Sequence, residues 1–138
     1  MFYLKSQIMI FIKEIEFDYK KIKIYCKIKG MKEVKSYYIY ILRCKDGSLY
    51  TGITTDIQRR YKEHLEKRGG RYTRAKGVLK IEVHFQCEDR AVASKIEKYI
   101  KALSREKKEG IIANPKSFIL SVKKELNIEI KINKKVLT

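Results

Sequence analysis

The chain has 138 residues, 44% of them hydrophobic, and 33 Lys and Arg against 16 Asp and Glu give a formal net charge of +17. That is one ordinary domain with material for a core, and the basic excess points to a polyanionic partner, nucleic acid ahead of an anionic membrane surface. Three widely spaced cysteines (Cys26, Cys44 and Cys87) with no C-x-x-C pair, and only two histidines (His64 and His84), argue against a disulfide framework and a structural zinc module and fit reduced thiols in the cytoplasm.

The apolar patch from Ile8 to Ile12 is too short for a membrane span and lacks a small-residue cleavage site, so neither a membrane anchor nor a signal peptide is expected. Ile15, Phe17 and Tyr19 alternate with charged residues, as do Ile22, Ile24, Cys26 and Ile28, which reads as two strands turning near Asp18 to Lys21. Two readings of residues 1–34 stand: an added sheet edge or oligomer contact, or a leader preceding a start at Met31.

Ser36 to Arg43 is rich in β-branched and aromatic residues and predicts a strand. Lys45 to Ser48, with Gly47, predicts a turn, and Leu49 to Ile53 the return strand of an antiparallel hairpin. Thr55 and Gln58 form a capping-box pattern for a helix carrying Ile57, Arg60, Tyr61, His64 and Leu65 on one face. Gly69-Gly70 closes that helix, and Arg71 to Gly77 reads as a mobile basic connection.

Val78 to Cys87 predicts a third strand. A helix capped by Glu88 or Asp89 follows over roughly Arg90 to Lys107, with Val92, Ile96, Ile100 and Leu103 as its buried stripe. Gly110 to Ala113 predicts a break, Pro115 the start of a short helix, and Leu126 to Ile132 a final strand. The organisation expected is an extension over 1–34, a domain over 35–117 and an extension over 118–138. Residues 35–116 hold 20 basic and 10 acidic side chains, so the candidate core is itself basic.

Phosphodiester hydrolysis needs a deprotonated water, stabilised charge on the phosphoryl oxygens and help for the leaving oxygen. The hairpin puts Tyr40 and Tyr50 on neighbouring strands, where their hydroxyls can converge. Arg60 and His64, four apart, share a helical face. A guanidinium grips phosphate with a planar fork and keeps its charge. Glu97, beside Ile96 and Ile100, is a carboxylate at the margin of an apolar stripe, where a cation would offset its burial. Each residue also has a plainer reading. The tyrosines can be strand packing, Arg60 and His64 a solvated face, and Glu97 an i, i+4 ion pair with Lys101. His84, Cys44 and Cys87 read as packing residues.

The ordered set resembles the GIY-YIG nuclease domain family, in particular its small stand-alone members, from about Tyr38 to Asn114. Tyr38-Ile39-Tyr40 matches the GIY element and Tyr50-Thr51-Gly52 the YIG element. The interval from Gly52 to Arg60, the R-x-x-x-H of Arg60 and His64, Glu97, and Asn114 before Pro115 follow in family order. Tyr38 replaces the motif glycine, Thr51 the motif isoleucine, and Ile53 stands where excision-repair incision subunits carry lysine.

The resemblance implies an α+β fold, a small three-stranded antiparallel sheet flanked by helices, to which the terminal extensions can add strands. It implies a metal-dependent endonuclease acting on DNA, on structured, branched or single-stranded regions in repair or recombination. One divalent cation, Mg²⁺ or Mn²⁺, is expected and no organic cofactor. Tyr40 is implied as base or water-orienting group, Tyr50 as its assistant, Arg60 as phosphate clamp, His64 in phosphate contact or proton transfer, and Glu97 as metal ligand. Asn114 is implied in positioning substrate or backbone, and Arg71, Arg74 and Lys76 are expected to track phosphates. The alternatives are a non-catalytic nucleic-acid binding module on the same scaffold and an assembly protein using its terminal strands.

Overall fold

Strand β1 (Tyr37–Cys44) and strand β2 (Leu49–Thr54) form the hairpin that the alternation predicts, in a computed structural model that describes residues 29–30 and 36–132. The chain divides into two compact units, residues 1–34 and 35–138. The two strands expected before residue 29, and Cys26, lie outside the described residues. The hairpin turn is built by its polar side chains: Asp46 Oδ1 accepts from Ser48 N at 3.0 Å, and Gly47 sits at φ +86°. That backbone conformation favours glycine.

Helix α1 (Ile57–Leu65) follows, then helix α2 (Arg71–Lys76), strand β3 (Val78–Cys87) and helices α3 (Arg90–Lys101), α4 (Arg105–Ala113) and α5 (Pro115–Leu126), and strand β4 (Lys131–Ile132) ends the described fold. The sheet order is β2-β1-β3-β4, antiparallel throughout. The architecture is α+β, with four strands rather than the three expected, because Lys131 and Ile132 pair with Gln86 and Phe85 at the open edge of β3.

Alternation on β1 divides two apolar layers. Ile39 and Ile41, with Val83 and Phe85, pack against Ala93, Ile96 and Ile100 of α3 and Phe118 and Val122 of α5. Tyr40 and Leu42 face the other way and form a second cluster with Ile57 and Val78, joined by Tyr38, Tyr50 and Tyr61.

Several expected boundaries are corrected. The α1 cap is Asp56, whose carboxylate accepts from Arg59 N at 3.0 Å, not Thr55. The basic connection after Gly70 is a helix, α2, held inward by fully buried Thr73. The helix expected over Arg90 to Lys107 ends at Lys101, and Ser104 caps a new one. The expected break at Gly110 lies inside α4, at a place where an added Cβ would meet nothing. The helix from Pro115 runs 12 residues, across position 117, and Leu126 ends it rather than opening a strand.

One polar network ties the hairpin to α4. The β1–β3 register slips between Ile41 and Leu42, leaving Glu82 unpaired in the ladder, and Arg43 Nε donates to Glu82 Oε1 at 2.8 Å. The two terminal nitrogens of Arg43 donate to the Glu109 carboxylate at 2.5 and 2.8 Å. This bidentate pairing orients one plane against another, which a lysine would not do.

Candidate active site

Cross-strand register sets the floor of the site. Tyr40 stands opposite Gly52 on β2 and opposite His84 on β3, so these three positions form one row on the face turned to α1. Gly52 is required there by its neighbour: a Cβ would lie 2.4 Å from the Tyr40 hydroxyl and 2.5 Å from Cζ. The motif glycine is thus the space in which the motif tyrosine lies. Tyr50 faces the same way, opposite Leu42, with its ring 6.4 Å from that of Tyr40.

Helix α1 covers this floor and inserts His64, which is 1% exposed. The Tyr40 hydroxyl and His64 Nε2 are 3.0 Å apart, and His64 Nδ1 is 2.8 Å from Thr73 Oγ1. Thr73 Oγ1 donates to the Gly70 carbonyl at 3.1 Å. The Tyr50 ring meets His64 edge-on at 5.5 Å and stacks on Tyr72 at 6.0 Å.

Both partners of the central pair are neutral near pH 7. Burial pushes the Tyr40 phenol up to about 12, against the pull of the Arg60 guanidinium, with Tyr50 and Glu97 adding to the rise. Burial, and then the charge of Arg60, pull His64 down to about 4. Tyr40 is therefore protonated and His64 unprotonated, which suits a hydrogen bond from phenol to imidazole.

Arg60 sits one helical turn before His64 and acts on the same hydroxyl, while Glu63 Oε2 accepts from its Nη1 at 2.9 Å. Glu97 reaches the site from α3, one residue beyond buried Ile96, close enough for its charge to act on Tyr40. Its carboxylate is paired with Lys101 Nζ at 2.8 Å, the i, i+4 bridge that the sequence offered as the plainer reading. Tyr40, Tyr50, Arg60, His64 and the field of Glu97 are therefore brought together.

The other named residues are placed differently. Arg71 and Arg74 are exposed on α2, and Lys76 is paired with Asp46 at 2.9 Å. Asn114 caps α5, its Oδ1 accepting from Ser117 N at 3.2 Å. His84, read as packing, is buried on the Tyr40 row. Burial pushes the Cys87 thiol up to about 11, as befits a packing residue. The residues that sequence reasoning missed are Thr73 and Gly69. A Cβ on Gly69 would lie 2.3 Å from His64 Nδ1.

Among the described residues no group of three or more His, Cys, Asp or Glu side chains could hold a metal ion. A preassembled cage is not what these residues offer. Glu97 fits the other mode open to Mg²⁺, in which one carboxylate is joined by waters and substrate phosphate oxygens. No helix among the described residues is long and apolar enough to cross a membrane.

Residues 36–110 match the family described as the GIY-YIG catalytic domain. The chain belongs to the GIY-YIG family. It is 46% identical over 96 residues to UPF0213 protein FN1575 of Fusobacterium nucleatum, covering 70% of this chain and 96% of that protein. It is 42% identical over 78 residues to UPF0213 protein BH0048 of Halalkalibacterium halodurans, covering 56% and 83%. The solution NMR structure of UPF0213 protein BH0048 from Bacillus halodurans is also similar, at 37% identity over 65% of this chain and 97% of that one, with a TM-score of 0.40. GIY-YIG membership places the chain among nucleases and implies a nucleic-acid substrate. The relatives' names state no substrate.

Proposed function

We propose that this GIY-YIG protein is a divalent-cation-dependent endonuclease that hydrolyses phosphodiester bonds in DNA, in structured, branched or single-stranded regions as met in repair or recombination. The observation that carries the reading is the buried Tyr40–His64 hydrogen bond with Arg60 acting on the same hydroxyl.

A Tyr40 that donates its hydrogen to His64 keeps its oxygen lone pairs for the attacking water. As the water O–H breaks and a phenol O–H forms, the original phenolic proton passes to Nε2, so no free phenolate is needed. A His64 held at about 4 keeps that proton only transiently and returns it to Tyr40, whose newly gained proton passes to solvent while the leaving oxygen takes one from solvent. Tyr50 supports the pair through its edge contact with His64. Arg60 holds the scissile phosphate, and its charge persists through the cycle.

Glu97 is the residue to hold Mg²⁺ or Mn²⁺, which when bound neutralises phosphoryl charge and acidifies bound water. Its partner Lys101 is 54% exposed at the side chain, so the pair is weak, worth about 0.3–0.5 kcal/mol, and is readily exchanged. Arg71 and Arg74, with Lys76 once released from Asp46, track neighbouring phosphates. Asn114 acts on the backbone, by fixing the start of α5.

The test is a cleavage panel of duplex, single strand, flap and junction in Mg²⁺ or Mn²⁺. Nicking of at least one shape, abolished in Arg60→Ala and Glu97→Ala, is expected. Salt-sensitive binding without cleavage of any shape would leave a non-catalytic binding module.

A further inference from the structure

We infer that Thr73 is a positioning residue that fixes the tautomer of His64, and that Gly69 exists to let it do so. The inference rests on the nuclease reading for its consequence, but its geometry stands apart from it.

A threonine hydroxyl has one hydrogen to give. With that hydrogen on the Gly70 carbonyl at 3.1 Å, Oγ1 can only accept at its 2.8 Å contact with His64. Nδ1 is then the protonated nitrogen, Nε2 carries the lone pair, and Tyr40 donates to it across 3.0 Å. All three contacts are hydrogen bonds in this arrangement. In the other tautomer Thr73 would turn its hydrogen to Nδ1 and lose Gly70. Nε2–H would point at Tyr40, whose own hydrogen would then have no place in the chain of bonds. A buried phenol left that way is disfavoured by about 1–3 kcal/mol.

The backbone is shaped around this chain of bonds. A side chain on Gly69 would lie 2.3 Å from His64 Nδ1 and 3.0 Å from Thr73 Oγ1, on top of the bond itself. Helix α2 buries a single residue, and it is Thr73, which is polar. Besides the half-exposed Tyr72, which stacks on Tyr50, the inward contact of α2 is therefore polar, and it delivers one hydroxyl to His64. Thr73 touches neither phosphate nor water in this scheme. It acts through His64, setting which way the Tyr40 hydrogen points.

The test is ring ¹⁵N NMR of the full chain, which has only two histidines, so one substitution assigns the signals. The wild-type His64 ring is expected to show a protonated Nδ1 and a bare Nε2 at neutral pH. Thr73→Val, which keeps the shape and removes the hydroxyl, is expected to lose that preference. Thr73→Ser is expected to keep it. In cleavage, Thr73→Val is expected to lower kcat on the order of 10–100-fold with KM little changed, as loss of an orienting partner does, and Thr73→Ser to restore it. A bare Nδ1 in the wild type would overturn the inference whether or not any variant folds. So would an unchanged tautomer and kcat in folded Thr73→Val. Absence of cleavage from every variant, with the NMR result as expected, would count against the nuclease reading and leave the tautomer assignment standing.

Discussion

Lowering the pH below neutral should destabilise this fold through His64, above the range in which Glu63, Glu109 and Glu129 respond. His64 is 1% exposed and bonded on both ring nitrogens. Burial first, then Arg60, bring its pKa from 6.5 to about 4. In that interval the unfolded chain binds a proton that the folded chain refuses, so stability is complete above the unfolded pKa and falls as pH drops toward the folded one. At ~1.36 kcal/mol per unit, the full interval is worth about 3 kcal/mol and the stretch from about pH 7.5 to about pH 5 about 2 kcal/mol. Glu63, Glu109 and Glu129 are shifted the same way, below 4.5, so their contributions are lost only as pH falls further, through the carboxylate range. Urea denaturation at the two pH values, for the wild type and His64→Gln, isolates the effect. The wild type should lose about 2 kcal/mol more than the variant over that range. Equal losses in the two proteins would refute the assignment of a buried neutral imidazole.

Two further substitutions probe the frame around the site. Gly52→Ala puts a methyl 2.4 Å from the Tyr40 hydroxyl, so the ring must leave its place. A loss of about 1–3 kcal/mol in thermal denaturation and loss of cleavage are expected, and unchanged cleavage would contradict the packing. Arg43→Leu leaves Glu82, whose side chain is 11% exposed, with only the longer 3.7 Å pair to Lys80 and removes both bonds to Glu109, and should cost about 1–3 kcal/mol in urea unfolding. Glu82→Gln should recover part of that loss in a double-mutant cycle.

The hairpin, β3 and α1 were legible because their periods of two and of three to four are carried by large apolar residues such as Ile39, Ile41, Phe85 and Ile57. The tyrosines and the Arg60–His64 pair were legible because they are fixed by register on those elements. Helix α2 was not. It is flanked by Gly70 and Gly77, has no apolar periodicity, and fully buries only a threonine, so its pattern is that of a loop. The division between α3 and α4 was hidden because Leu103 continues the apolar stripe past the end at Lys101, and Gly110 reads as a break although nothing crowds it in the helix. β4 owes its two-residue pairing to the edge of β3, a tertiary matter. Thr73 carries no motif or periodicity at all. Its role arises from meeting His64 nine positions earlier, which only the fold reveals.

The most direct measurement is cleavage and binding of one DNA substrate in parallel, in Mg²⁺, by the wild type, Arg60→Ala and Glu97→Ala. A single pocket for phosphate and cation predicts nicking by the wild type that chelation stops, and variants that hold DNA but do not cut it. Undiminished cutting by both variants would contradict that pocket.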